Sequence, residues 1–170
     1  MRAVSGWIKK GERKEIPTNG SHRRLNVLGA LDLEAMHLET QQYETVNGAA
    51  IVAFFDHLQK QYPRVTTLHI ILDRAGYHRC KEVLEYVEKS NGKIVLHSLP
   101  PYSPNLNAIE PAWKIMHEHT TNNRYYPTFK DFTEAINTFF CDTFPQKARS
   151  WMDRLTDNFR VIQSPLAAKS

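Results

Sequence analysis

No run of apolar residues approaches the roughly 18 that a membrane span needs, and the opening MRAVSGWIKKGERK lacks the apolar core of a secretory signal. These two absences predict a cytoplasmic protein with no membrane partner. Cysteine is scarce as well. Cys80 and Cys141 stand far apart, with neither a CxxC pair nor Cys/His ligand spacing, so both read as reduced and structural. There is no internal repeat, no low-complexity tract and no linker that would split the chain. With 170 residues, 41% of them apolar, residues 1–170 read as a single domain with one core.

What is present is unevenly spread. Seven basic residues, Arg2, Lys9, Lys10, Arg13, Lys14, Arg23 and Arg24, stand against Glu12 and Glu15 in the first 24 positions, an excess larger than the +4 of the whole chain. A basic cluster attracts polyanions by releasing their counterions, which makes nucleic acid a natural partner for Lys9, Lys10, Arg13 and Lys14. A solvated hairpin whose lysines guard a sheet edge accounts for the same residues equally well.

Residues 5 to 46 read as strands and turns: a hairpin around Gly11, a mostly apolar strand in RLNVLGALDL, and a less regular alternation in HLETQQYETV. Asn47 and Gly48 then open a helix carrying Ile51, Val52, Phe55 and Leu58, which Pro63 shuts off. TLHIILD and KIVLHSL read as short strands buried on both faces. Between them lies a helix with Val83, Leu84 and Val87, closed by Asn91-Gly92. Thr128 and Asp131 predict a capped helix with Phe132, Ile136 and Phe139 inward, and a last short helix holds Trp151 and Leu155. The order is strands, then alternating helix and strand, then helices, which describes an α/β domain with a mixed sheet flanked by helices.

Two acids occupy telling places. Asp73 ends the apolar strand in ILDRAGYH, and Glu110 follows a Pro-rich stretch in PPYSPNLNAIEPAWKIMH. Ile109, Trp113 and Met116 recur at helical spacing and predict a buried face, leaving Glu110, Lys114 and His117 on another. Ligands of open α/β sheets gather outside the carboxyl ends of the strands, and carboxylates there suit Mg²⁺ or Mn²⁺. On spacing alone, Asp73 reads equally as a turn or capping aspartate, and Glu110 as a first-turn glutamate favoured by the helix dipole.

ILDRAGYH followed by LHSLPPYSPNLNAIEPAW resembles the second and third acid motifs of the DDE superfamily of insertion-sequence transposases, in the bacterial group related to mariner-like elements. In that family a PPYSPxLNPIE segment delivers the last acid; here Ala108 stands for its usual Pro, and Arg74 follows the aspartate where Asn is frequent. GWIKKGERKEIPTNG and LTDNFRVI resemble further parts of the family, so the likeness covers essentially the whole chain. The resemblance implies a ribonuclease H-like, retroviral-integrase-like fold and Mg²⁺-dependent (or Mn²⁺-dependent) DNA strand cleavage and strand transfer, with Asp73 and Glu110 as metal-ligating acids.

The same resemblance places a first acid on the first strand of the sheet, shortly before the GWIKKG hairpin, and nothing from Met1 to Trp7 is acidic. Asp32 falls where the family has a turn and reads as a surface residue. The expectation is therefore a catalytic domain without its first strand and without the upstream helix-turn-helix segment, acting as a homodimer or with a complementing transposase fragment. A non-catalytic DNA-binding or dimerisation remnant and a stand-alone ribonuclease H-like nuclease are the competing readings. His78 either orients Asp73 or a substrate phosphate, or makes an ordinary loop hydrogen bond. Asn105 and Asn107 reach DNA or form turns, and Trp113 reads as core.

Overall fold

The computed structural model describes Val4, Lys10, Glu15 and residues 23–101 and 106–155. The hairpin expected around Gly11 and most of LTDNFRVI lie outside these residues.

Two strands come first. β1 (Asn26–Asp32) and β2 (His37–Tyr43) pair antiparallel, from Asn26 opposite Tyr43 to Asp32 opposite His37. Their connection is fixed by Asp32, whose Oδ1 accepts from the backbone N–H groups of Glu34 and Ala35, both at 2.9 Å. This is an Asx-type turn, the local chemistry that suits aspartate to such positions.

α1 (Gly48–Gln61) starts at Asn47, whose side chain accepts from the Ala50 N–H at 3.0 Å, and it buries Ile51, Phe54, Phe55 and Leu58. β3 (Leu68–Leu72) follows, then α2 (Lys81–Lys89), then β4 (Ile94–Ser98), which lies parallel to β3. After α2 the chain turns through Asn91 and Gly92, both at positive φ. Of the apolar residues expected to face inward on α2, Val83 is fully buried and Leu84 is exposed.

α3 (Ile109–Thr120) and α4 (Phe129–Thr138) come next. The helical path continues through a π turn (Phe139–Thr143), α5 (Phe144–Lys147), a 3₁₀ turn (Ala148–Trp151) and α6 (Met152–Leu155). α4 begins with the expected capping box between Thr128 and Asp131.

The strands separate two apolar clusters. Leu28 and Ala30 of β1 pack with Ile51, Phe55, Leu58 and Val83 of α1 and α2. Val27 and Leu31 of the same strand pack with Ala112, Ile115, Phe139 and Phe144 of the later helices. Alternate side chains of a strand point to opposite faces, so β1 is apolar on both because a helical layer covers each. Fully burying a side chain such as Ile115 or Phe139 stabilises the fold by about 1.5–3 kcal/mol.

β3 and β4 depart from the expectation of burial on both faces. Leu68, Ile70, Leu72, Ile94 and Leu96 pack on the α1–α2 side. The opposite face carries His69, Ile71 and His97, all exposed, with Ile71 at 59%. The α3–α6 layer packs instead on β1 and β2. The expected mixed sheet is present as an antiparallel pair and a parallel pair, each a separate two-stranded sheet among the described residues.

Candidate active site

Because β3 and β4 run parallel, their carboxyl ends finish side by side, and the Leu99 N–H donates to the Leu72 carbonyl at 2.9 Å just past them. Asp73 is the next residue after β3. Its side chain is 53% exposed, and Oδ1 accepts from the Ala75 N–H at 3.0 Å. The chain then bends through a 3₁₀ turn, Gly76–Arg79, that returns His78 toward the strand end. His78 Nε2 lies 3.3 Å from Asp73 Oδ1, and the edge of Tyr77 packs on the imidazole with ring centroids 4.6 Å apart.

The His78 side chain is only 16% exposed. Burial lowers its pKa, and the nearby Asp73 carboxylate opposes that shift without reversing it. Burial thus disfavours the charged ring, and its Nδ1 is buried with no hydrogen-bond partner among the described residues. The contact with Asp73 is compatible with either use that the sequence allows for His78.

Glu110 stands in the first turn of α3, exposed, with its backbone N–H donating to the Asn107 carbonyl at 3.0 Å. A carboxylate here is favoured by the unpaired N–H groups and dipole of the helix start. The helix behind it is rigidly seated: Ala112, Ile115 and Met116 are buried, and Trp113 packs edge-on against Phe140 with centroids 5.8 Å apart. Ile109, Trp113 and Met116 all join the core, as the helical spacing predicts.

The seat depends on a residue that the sequence reading passed over. A Cβ on Gly29 of β1 would stand 2.7 Å from Trp113 Cη2, closer than real contacts allow, and 3.2 Å from Ile109 Cδ1, a tight contact. Gly29 lets the first turn of α3, with Glu110, lie flat against the strand. An isolated glycine inside an apolar strand is the signal for such an approach.

No ion pair or hydrogen bond links Glu110 to Asp73 or His78. Lys10 is exposed, Asn107 is half-buried, and Lys9, Arg13, Lys14 and Asn105 lie outside the described residues. Asp32 is committed to its turn rather than to the acids. Among the described residues, no group of three or more His, Cys, Asp or Glu is disposed to hold a metal ion. Asp73 and Glu110 both present exposed carboxylate oxygens, a donor type that suits Mg²⁺ or Mn²⁺. A cavity of about 540 Å³ lies elsewhere, between the end of α3 and α4–α5, lined by His119, Arg124 and Lys147 among others. Both acids are exposed and neither lines that cavity.

The profile of the family described as DDE superfamily endonuclease matches residues 2–133. The insertion element IS630 uncharacterized 39 kDa protein of Shigella sonnei is 28% identical over 138 residues, covering 78% of this chain and 38% of its own length. The uncharacterized protein y4pE/y4sA of Sinorhizobium fredii (strain NBRC 101917 / NGR234) is 36% identical over 67 residues, covering 39% of this chain and 44% of its own length. The chain therefore spans about two fifths of the length of these curated relatives. Among solved structures, the catalytic domain of Mos1 mariner transposase superposes with a TM-score of 0.57 at 15% identity, covering 83% of this chain and 75% of that one. The Mos1 mariner paired end complex with Mn gives the same TM-score and identity, covering 91% of this chain and 49% of that one. These likenesses identify the fold as the ribonuclease H-like α/β fold of transposase catalytic domains.

Proposed function

The chain belongs to the DDE superfamily of endonucleases, and from that premise we propose that residues 1–170 are the catalytic domain of a DNA transposase that cleaves and joins DNA strands with Mg²⁺ or Mn²⁺. The observation that carries the reading is the placement of Asp73 and Glu110: one exposed carboxylate at the paired carboxyl ends of β3 and β4, the other on the first turn of a helix locked to β1.

When bound, the ions activate a water and stabilise the leaving oxygen of the phosphodiester. The rest falls to the chain's own side chains. Asp73 is oriented by the Ala75 N–H and bordered by the imidazole of His78. Glu110 is held outward by the buried face of α3. Lys9, Lys10, Arg13 and Lys14 contact DNA phosphates without reading sequence, and Asn107 borders the site. This work takes place on DNA in the bacterial cytoplasm, and none of the described helices is long and apolar enough to cross a membrane.

The partial acid set calls for a third carboxylate. We propose that it arrives on a strand seated between β1 and β3, from a longer form of the polypeptide or from a partner. Each of those strands is hydrogen-bonded along only one edge among the described residues, and both rest side chains on α1. The test is nicking of supercoiled DNA bearing the element ends, with Mg²⁺ and with the aspartate-bearing strand supplied fused or in trans. The expected result is metal-dependent nicking that Asp73→Asn and Glu110→Gln each abolish. Nicking by either variant at the parent rate would remove that residue from the site. Nicking by the 170-residue chain alone would dispense with the added strand.

A further inference from the structure

The uncovered face of β3–β4 brings two imidazoles together on a part of the molecule that the proposed reaction does not use. His69 Nδ1 stands 3.0 Å from His97 Nε2, with ring centroids 5.2 Å apart and planes inclined by 35°. The two residues lie diagonally across the parallel pair, His69 opposite Val95 and His97 opposite Ile71. Both are exposed, Ile71 beside them is 59% exposed, and among the described residues no carboxylate is paired with either ring. Two histidines at this spacing on neighbouring strands, open to solvent and free of acidic partners, have the makings of a chelate.

We propose that His69 and His97 form a two-imidazole site for a borderline transition-metal ion, Cu²⁺ or Ni²⁺ ahead of Zn²⁺, with water completing the coordination. Two nitrogens each about 2.0–2.1 Å from one ion stand about 2.9 Å apart at a right angle and about 3.3 Å apart at the tetrahedral angle. The observed 3.0 Å is nearer the first value, which favours the square-planar and tetragonal ions, and the general affinity order puts Cu²⁺ first. One ring now donates an N–H to the other. To bind metal, that ring keeps its proton on its other nitrogen, so both rings turn a lone pair toward the ion and stay neutral, with no change of oxidation state. Both side chains are exposed, which leaves room toward solvent for the small rotation.

This site is distinct from the acids in chemistry. His69 precedes Asp73 by four residues on an extended strand, about 13 Å at ~3.3 Å per residue, and His97 stands opposite Ile71, two residues before Asp73. Mg²⁺, which prefers oxygen ligands and keeps its waters, has no reason to occupy a pair of imidazoles. An ion held by both strands pins β3 to β4 and stabilises the folded chain by mass action.

The test uses the 170-residue chain at pH 7.5 with CuCl₂, NiCl₂ and MgCl₂ in turn, followed by thermal melting. Cu²⁺ and Ni²⁺ are expected to raise the melting temperature of the parent and of Asp73→Asn, while Mg²⁺ has no comparable effect. His69→Gln and His97→Gln should each lose that rise. His57→Gln, which breaks the other pairing of histidines, in which Glu39 bridges His37 and His57 at 2.8 and 3.1 Å, should keep it. Electron paramagnetic resonance of the parent with one equivalent of Cu²⁺ should show coupling to two imidazole nitrogens, a readout independent of how any variant folds. A rise retained by both His→Gln variants, a rise lost in Asp73→Asn, or a spectrum without two coupled nitrogens would overturn the site.

Discussion

Single residues set the geometry of the candidate site, and Gly29 is the sharpest case. Alanine there would drive a methyl group into Trp113 and Ile109. Overpacking of this kind costs about 1–3 kcal/mol, and the nearest way to relieve it is to lift the first turn of α3, which moves Glu110. Gly29→Ala should therefore lower the urea midpoint and also weaken Mn²⁺ binding measured by calorimetry; a stable variant with parental Mn²⁺ affinity would separate Gly29 from the site. A second residue-scale prediction concerns acid stability. His119 lies against Phe139 and Trp151, with centroids 5.9 and 5.1 Å away, and its pKa is lowered by burial and then by Lys147 and Arg124. The unfolded imidazole titrates near 6.5, so below about pH 6.5 the unfolded chain binds the proton more readily than the folded one. Stability is thus fully present above that pH and falls as pH drops toward the lowered folded value. His119→Asn should flatten the loss of unfolding free energy between pH 7 and 5; an unchanged slope would mean that the ring's protonation is not coupled to folding. Of these residue-scale features, the positions of Asp73 just past β3 and of Glu110 in the first turn of α3 were legible because their motifs are local in sequence. The Gly29–Trp113 contact was not, since it joins positions that meet only when the helix packs on the strand.

At the scale of elements, legibility followed the strength of local signals. α1 and α4 announce themselves by side-chain caps at Asn47 and Thr128 and by apolar residues at helical spacing. The capping box is reciprocal: Asp131 N–H donates to Thr128 Oγ1 at 3.1 Å, and Thr128 N–H donates to Asp131 Oδ2 at 3.0 Å. Replacing Thr128 by Ala should cost about 1 kcal/mol, read as a lower urea midpoint with an unchanged slope. A variant as stable as the parent would show that tertiary packing alone holds the start of α4. β3 and β4 were recognisable as strands but misjudged in burial. A run such as LHIIL shows that apolar residues are present without showing which faces helices will cover. His69 and His97 sit on the face that stayed open, and two polar residues on alternating positions carried that information. The basic hairpin and the lead-in to α3 through Asn105 were read from composition and lie beyond what the structure describes.

The whole molecule is a layered α/β fold whose two strand pairs are separate sheets among the described residues, although α1 spans both. Every residue of β1 is only half-buried despite an apolar sequence with helices on both faces, and β3 leaves Ile71 exposed. Backbone N–H and C=O groups along an unpaired edge are either solvated or matched by another strand. In the proposed arrangement one inserted strand would match both edges at once and join the pairs into a five-stranded sheet, and its end would bring a carboxylate toward the end of β3 where Asp73 stands. Structural completion and chemical completion would thus be the same event. Hydrogen exchange gives the test. Addition of an aspartate-bearing strand, fused or as a separate segment, should protect the outward amides of β1 and β3 while leaving the outer edges of β2 and β4 as they were, and it should raise the melting temperature together with the nicking activity. Replacing the added aspartate by asparagine should keep the protection and the melting temperature but lose the nicking, because pairing depends on the backbone and cleavage on the carboxylate. If activity returned without protection of β1 and β3, the third acid would have to reach the site by another route, and the free edges would have no part in it.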